Sequence, residues 1–362
     1  MEPASKKIKT SHPLPAETKL DTQLKTHLGT QLDKATLDIT TQQSSAENLH
    51  SNLEFKVQYI RGAITLFFYT IGNIVSRCEV QVIKRQARRL PDGTLLPGFQ
   101  GIKIDSISSG QVAILACCFK AATVHIDKNK NTRNGRKICF SVDLESLKNK
   151  LQSSRGKMVS IYQKKNEERI YLDCVDADPR RTFQLSTLTN ETETSLDLED
   201  LDTSYAIKYP VTTLKDFVRI AKTAGSDFFV ITVKVSPPIP ENGQVIQKTC
   251  IVLQCTDALG NTQTFNKYGK QVMNEQGEHI IELENSSILT PNQMDQYERI
   301  CQHKLTAEYP CRFVSLFLKS LEKGNVSIII TEQGPLVVEF SFGTDLSYMR
   351  LIVAPRAEVS DD

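Results

Sequence analysis

The chain has 362 residues, of which 40% are hydrophobic and 24% charged, with a formal net charge of +2. That length suits two or three domains, and the composition is ordinary for a globular protein in water. No apolar run reaches the roughly 18 residues that a membrane-spanning helix needs, so no membrane span is expected. The near-neutral total charge selects no class of partner.

Residues 1–52 are rich in Thr, Gln, Ser, Lys and Asp and contain no aromatic residue. They begin without the apolar core of a secretory signal and cannot bury much apolar surface, so a disordered tail is expected. Leu20, Leu24, Leu28 and Leu32 recur every fourth residue, which leaves room for an amphipathic helix. Lys6, Lys7 and Lys9 form a short basic cluster, readable as a nuclear-import signal or as part of a solvated tail.

At residue 53 the texture changes. LEFKVQYI alternates as a half-buried strand does, with Phe55, Val57 and Tyr59 on one face. RGAITLFFYTIGNIVSR then switches to helical spacing through Ile64, Phe67, Phe68, Ile71, Ile74 and Val75. CEVQVIK, GIKIDSIS and QVAILACCF follow as strands. This strand–helix–strands unit recurs three times: ICFSV with helix DLESLKNKLQS, SYAIKYPV with helix TTLKDFVRIAKTAG, and HIIELEN ahead of HKLTAEYPCRFVSLFLKSLEKG. Each is followed by further strands, so four helices are expected, starting near 61, 143, 212 and 311. Four copies of one unit, paired two and two, predict two similar α+β domains. TNETETSLDLEDLDTS, residues 189–204, is acidic and lacks alternation, as an exposed linker would. The expected organisation is therefore a tail at 1–52, domains at 53–188 and 205–357 joined by the 189–204 linker, and an acidic end at 358–362.

The nine cysteines are scattered, mostly within apolar runs, and read as buried free thiols of a reducing compartment. Cys301, His303 and Cys311 come nearest to a metal-ligand pattern but lack a second pair, and read as unrelated residues. No nucleotide loop, dinucleotide fingerprint, zinc-protease or nucleophile-elbow motif occurs, which argues against an enzyme.

The helices carry more information. Lys215, Arg219 and Lys222 share one face of the third helix while Leu214, Phe217, Val218 and Ala221 form its apolar stripe. Arg312 and Lys319 share a face of the fourth, and Lys148 and Lys150 flank the apolar Leu144, Leu147 and Leu151 of the second. One such face is ordinary solvated surface. Three in repeated units point to a common polyanion, with double-stranded DNA gripped through its phosphates the natural candidate. Lys84, Arg85, Arg88 and Arg89, and Lys128, Lys130, Arg133, Arg136 and Lys137, add basic loops that read as solvated or as extra DNA contacts.

GIKIDSISSGQVAILACCFKA, FSVDLESLKNKL, YPVTTLKDFVRIAKTAGSDFFVITV and PLVVEFSFGTDLSYMRLIVAPRAEVSDD, in that order and spacing, resemble the DNA sliding clamps of the proliferating cell nuclear antigen (PCNA) family over roughly residues 53–360. The resemblance implies the DNA clamp fold: two similar domains per chain, three chains in a closed ring, helices inside and sheets outside. Lys148, Lys150, Lys215, Arg219, Lys222, Arg312 and Lys319 would then face DNA, with no cofactor or metal required. It further implies a nuclear processivity factor that tethers a DNA polymerase and other replication or repair proteins and is placed on DNA by a clamp loader. Partner peptides with apolar or aromatic anchors would dock in a groove made by Ile107, Val112 and Ile114, by Leu196 and Leu198 of the linker, and by Pro335, Ile352, Ala354 and Pro355. Subunits would join edge to edge between the strands near 182–188 and 250–257. The near-neutral charge, a first helix without lysines, and inserts at 84–99, 236–248 and 269–278 suit a divergent member, such as one from a large DNA virus working in a viral replication factory. The alternative is a monomeric or dimeric clamp-fold protein, either a processivity factor or a transcription or scaffold protein, that clings to DNA by charge without encircling it.

Overall fold

The computed structural model describes residues 52–188 and 205–356, apart from short stretches at 90–92, 94, 109, 111, 128–130, 133–134, 175, 178–180, 242–243, 274–278, 286–287, 332–333 and 343–346. The expectations for the tail, the linker and the acidic end fall outside these residues.

The first half runs β1 (Leu53–Ile60), α1 (Arg61–Gly72), β2 (Arg77–Arg85), β3 (Arg88–Arg89), β4 (Leu95–Leu96), β5 (Phe99–Ile107), β6 (Ala113–Lys120), β7 (Thr123–Ile126), β8 (Asn131–Thr132), β9 (Gly135–Asp143), α2 (Leu144–Ser153), β10 (Met158–Lys164), β11 (Arg169–Cys174) and β12 (Arg181–Ser186). The second runs β13 (Tyr205–Pro210), α3 (Val211–Thr223), β14 (Phe228–Val235), β15 (Ile239–Glu241), β16 (Gln244–Thr256), β17 (Thr262–Met273), β18 (His279–Leu283), α4 (Pro291–Ile300), β19 (Gln302–Pro310), α5 (Cys311–Leu318), β20 (Asn325–Ile330), β21 (Leu336–Ser341) and β22 (Tyr348–Val353). The four expected helices are α1, α2, α3 and α5, each starting within a residue of its expected place. None of the described helices is long and apolar enough to cross a membrane.

The four helices begin in one way. The last residue of the preceding strand (Ile60, Asp143, Pro210 or Pro310) is the N-cap and keeps extended backbone angles. Only Asp143 caps with its side chain, accepting from the Ser146 amide at 2.7 Å. The first helical amide, which has no partner within a helix, instead donates to a loop carbonyl of the neighbouring unit: Arg61 to Lys157, Leu144 to Ser76, Val211 to Gly324 and Cys311 to Asp227, all at 2.8–3.0 Å. A buried tyrosine precedes three of these starts, Tyr59, Tyr209 and Tyr309. α3 ends in a Schellman motif: Ser226 donates to Ala221 and Gly225 to Lys222, with Gly225 at φ +76°, which glycine adopts freely.

The sheets repeat too. β12–β11–β10–β1–β7 form one sheet, and β19–β14–β16–β17–β18–β13–β20–β21–β22–β6–β5–β2–β9–β8 follow one another in a second. Described ladders are antiparallel except β13·β18, which is parallel. The order β12–β11–β10–β1 recurs as β22–β21–β20–β13, and β9–β2–β5–β6 recurs as β19–β14–β16–β17. The halves are joined where β22 pairs with β6 from Tyr348↔Cys118 to Val353↔Ala113. One apolar core runs through both halves, between the sheets and α1, α2, α3 and α5. At the junction it is aromatic: Phe119 lies 5.0 Å from both Phe67 and Phe342.

Two expectations need correction. A fifth helix, α4, was not expected. It rests on β16 and β17 through a separate apolar cluster of Cys250, Val252, Tyr268, Tyr297 and Cys301. Cys301 belongs to this cluster and Cys311 to the main core, so they serve different packing layers. Second, the strand near 250–257 is no edge. β16 pairs with β14 on one side and β17 on the other. Among the described residues the open edge is Thr262–Lys267 of β17, because β18 covers Gly269–Met273 and the Glu284 amide donates to the Tyr268 carbonyl at 2.8 Å. β12 is an edge as expected, pairing only with β11 among the described residues. All nine cysteines are free, and only Cys118 and Cys139 are not buried.

Candidate nucleic-acid interface

α1, α2, α3 and α5 lie side by side on one flank of the sheets. α1 packs on α2 and α3 on α5, and α1 also touches α5. The last contact joins the halves: the Asn73 amide group donates to Ser320 Oγ at 2.7 Å and to the Leu316 carbonyl at 3.4 Å. Asn73, at the C-cap of α1, was not singled out in the sequence, where only its position after an apolar stripe marks it.

Each helix turns its apolar stripe inward, as Leu144, Leu147 and Leu151, and Leu214, Phe217, Val218 and Ala221, are all buried. The opposite face is basic. α2, α3 and α5 with its C-cap carry the seven predicted basic residues and two carboxylates, Glu145 and Asp216. Both carboxylates are answered locally. Lys148 pairs with Glu145 at 2.6 Å and sits 5.1 Å from the Tyr69 ring centroid. Its hydrogen bond draws the Glu145 carboxyl below its ordinary range. Arg219 meets Asp216 at 3.4 Å, with both side chains mostly in solvent, a pairing that contributes little.

The other predicted residues differ in freedom. Lys215 Nζ donates to the carbonyls of Leu321 at 2.8 Å and Lys319 at 3.3 Å, at the C-terminal end of α5, where a cation meets the negative end of the helix. Lys150 reaches Ser146 Oγ at 3.3 Å. Lys222, Arg312 and Lys319 are exposed. Between α3 and α5 lies an open cleft of about 420 Å³ walled by Lys215, Asp216, Arg219, Lys222, Thr223 and Ser315. α1 adds no free cation, because its one charged residue, Arg61, is spent on the carbonyls of Gly156 and Ser154. Of the residues expected in basic loops, Lys84 and Arg136 lie instead in β2 and β9, where they face each other, with Lys84 tied to the Val124 carbonyl and Arg136 to that of Ile126. Arg88 and Arg89 are exposed, and Lys128, Lys130 and Arg133 lie outside the described residues.

The opposite flank holds the predicted groove residues. Ile107, Ile114 and Ile352 stand directly opposite one another on β5, β6 and β22, with Val337 next on β21. They share the face turned away from the core, since the alternate residues Leu115, Leu351 and Val338 fill it. Ile107 and Ile114 are half-buried and Val112 is 37% exposed, whereas Ile352 is only 4% exposed. Ala354 is brought alongside by donating to the Val112 carbonyl at 3.0 Å. Pro335 and Pro355 are half-buried. Leu196 and Leu198 lie outside the described residues. Arg356, not predicted, anchors the segment beyond β22 through Glu308.

A basic layer of helices across one flank of a two-half sheet is the architecture of a DNA clamp. Solved structures agree. The PCNA of Thermococcus kodakaraensis superposes with a TM-score of 0.58 at 14% identity, over 83% of this chain and all of that one. The proliferating cellular nuclear antigen of Entamoeba histolytica gives 0.57 at 13%, over 84% of this chain and all of that one. The chain thus has the clamp fold of PCNA. No family model and no curated protein matches it in sequence.

Proposed function

We propose that this chain is a DNA sliding clamp, a processivity factor that encircles duplex DNA as a ring of three copies and tethers a polymerase and other replication or repair proteins in the nucleus. The basic outer face of α2, α3 and α5 carries the reading. It presents cations without base-reading geometry, which suits phosphate contacts that hold a duplex yet let it slide. The repeat supports closure, because the β6·β22 junction inside the chain leaves corresponding edges open on β12 and β17. The row of Ile107, Ile114 and Ile352 beside Val112 and Ala354 would receive the apolar anchors of partner peptides. Tethering raises the partner's local concentration at the primer end, and no bond is made or broken by the clamp itself.

The test is retention on DNA. The protein is assembled at high concentration on nicked circular duplex and moved into high salt. Retention on the circle with loss on linearisation is expected. Equal loss from circle and line would instead establish a protein that clings by charge.

A further inference from the structure

The outer face of the second half carries an apolar row that its sheet does not need. Val337, beside Ile352, stands opposite Ile329, and the row runs on through Ala206 of β13 and Ile280 of β18 to Val272 of β17. The alternate residues Ile328, Ile207 and Ile281 fill the core, so the row faces away from it. Ile329, Ala206, Ile280 and Val272 are half-buried, and neither described apolar cluster includes them. The first half shows that the fold does not require them. Tyr59 and Tyr209 hold equivalent places before α1 and α3, and counting from them Ala206, Ile329 and Val337 correspond to Lys56, Tyr162 and Tyr171. There the row has polar tips and is closed on itself. Tyr162 stacks on Tyr171 at 5.2 Å, Tyr171 donates to Glu167, and Lys164 Nζ lies 4.7 Å from the Tyr171 ring centroid.

A charged row runs beside the apolar one on the same face. It holds Lys208, Glu282, Lys270 and Lys248, in register across β13, β18, β17 and β16. Lys208 and Glu282 are exposed, and Lys270 meets Glu284 at 3.6 Å. Even with Glu284 counted the row is basic. On its far side lies α4, which shows how this face takes up a helix. Tyr297 is buried with Cys250, Val252 and Tyr268, and Lys248 Nζ lies 5.2 Å from the Tyr297 ring centroid. The Glu298 carboxylate accepts from Tyr268 at 2.7 Å and from Asn266 at 2.9 Å.

We propose that the row of Ile329, Ala206, Ile280 and Val272 is a second docking surface, separate from the groove at Val112, and that its occupant is an amphipathic helix of a partner protein with an acidic flank, lying beside α4 across the strands. Strand addition cannot fill it, because β20, β13, β18 and β17 already pair with one another along the row. From Ile329 to Val272 the row spans three strand spacings, about 14 Å, which a helix of about ten residues matches. Successive turns rise about 5.4 Å against about 4.8 Å between strands, so an apolar stripe sets about one side chain on each strand. Carboxylates along one flank of that helix complement Lys208, Lys270 and Lys248. The surface lies within one chain, so the inference holds whether or not three copies close a ring.

Two labelled synthetic peptides of about 14 residues, one turn longer than the row, test it on the full chain. Both carry leucine at every third or fourth position; one has glutamate along a flank of that stripe and the other lysine. Binding is read by fluorescence anisotropy, with urea unfolding of each variant alongside. The glutamate peptide is expected to bind about tenfold more tightly than the lysine peptide. Ala206→Asp is expected to abolish binding of both. Lys208→Glu, on an exposed position that keeps the test decisive if Ala206→Asp does not fold, is expected to bring the two peptides within about threefold of each other. Equal affinities, no binding of either peptide, or an unchanged preference in Lys208→Glu would overturn the acidic helix. Loss of binding in Val112→Asp would put the peptide in the groove, and loss in Arg219→Ala/Lys222→Ala would put it on the helix layer. Either result would overturn the second surface and leave the clamp reading standing. Loss from circular DNA with peptide binding intact would instead remove the clamp reading and support this inference alone.

Discussion

Arg356 is bound to Glu308 twice. Its amide donates to the Glu308 carbonyl at 2.9 Å and its guanidinium lies 3.2 Å from the carboxylate, with the Phe228 ring 4.8 Å from its Cζ. The first half makes the same backbone contact at the equivalent place, where the Leu188 amide donates to Ser141 at 3.0 Å. The chain leaving each terminal strand is thus stitched to the strand that leads into the last helix of its half, β9 before α2 and β19 before α5.

Arg356→Ala should consequently act on position more than on stability. The ion pair is half in solvent and contributes at most about 1 kcal/mol. Urea unfolding should shift by no more than that. Deuterium uptake at the amides of positions 354 and 356 should rise clearly, and an unchanged uptake would show that the Ala354 bond to Val112 holds the segment unaided.

Tyr59, Tyr209 and Tyr309 occupy matching places but differ in their hydroxyls. Those of Tyr59 and Tyr209 are buried with no partner among the described residues, and burial raises both pKa values. Tyr309 donates to the Gly334 carbonyl at 3.2 Å. Because an unpaired buried polar group costs roughly 1–3 kcal/mol, Tyr59→Phe and Tyr209→Phe should be neutral or stabilising. Tyr309→Phe should lose about 1 kcal/mol. Equilibrium unfolding of the three variants decides, and equal losses in all three would point to partners for Tyr59 and Tyr209.

The repeat was legible because it is written in periodicity. Alternation in LEFKVQYI and helical spacing in TTLKDFVRIAKTAG each survive in the fold. α4 was not, because PNQMDQYERI buries only Tyr297 and carries no full apolar stripe. Its signal was the capping box, Thr290 with Gln293, closed in both directions in the structure. The open edge was misplaced because alternation does not reveal which flank of a strand is paired. Polarity does: TCIVLQC lies inside the sheet while TQT, at the open edge, is exposed, and polar residues commonly mark unpaired edges. Ile107, Ile114 and Ile352 could be singled out from the sequence, yet only the register showed that they form one row. That four helices make a continuous layer depended on Asn73, a contact between distant segments that no local pattern carries.

The buried thiols predict a pH response. Burial pushes Cys250 and Cys311 from the ordinary 9.0 up to about 12 and Cys301 up to about 11. The folded state therefore favours the protonated thiol. The associated stability is complete below about pH 9 and is lost as pH rises from there towards 12. Unfolding midpoints should be insensitive to these groups from pH 6 to 8 and fall above pH 9, more steeply in the wild type than in a Cys250→Ala/Cys311→Ala variant. Alkylation of the native protein at about pH 8 should be confined to Cys139 and, more slowly, Cys118, the two thiols that are not buried, because burial also holds the Cys118 thiol above its ordinary range and the thiolate is the reactive form.

Val112 and Ile352 separate docking from packing. Val112 is exposed in part, so Val112→Asp should leave unfolding within about 0.5 kcal/mol of wild type while abolishing capture of a peptide with apolar anchors. Ile352→Ala removes a nearly buried side chain and should cost about 2–4 kcal/mol. Peptide binding by calorimetry alongside urea unfolding reads both. Normal binding by Val112→Asp would move the docking surface elsewhere.

The basic residues should separate by the same logic. Arg219 and Lys222 are exposed at the α3–α5 cleft, and the ion pair of Arg219 is with Asp216 of its own helix, so Arg219→Ala/Lys222→Ala should leave stability within about 0.5 kcal/mol of wild type. DNA affinity should fall alike for all sequences, and the slope of log affinity against log salt should shrink by about 0.9 for each phosphate no longer neutralised. Lys215 is different, because its ammonium satisfies two carbonyls at the end of α5. Lys215→Ala should cost about 1–2 kcal/mol of stability as well as affinity. Lys215→Met, which keeps the aliphatic stem, should recover packing but neither the carbonyl bonds nor the charge. A salt slope unaffected by Arg219→Ala/Lys222→Ala would place the duplex away from the α3–α5 cleft and leave the α2 side of the layer as its seat.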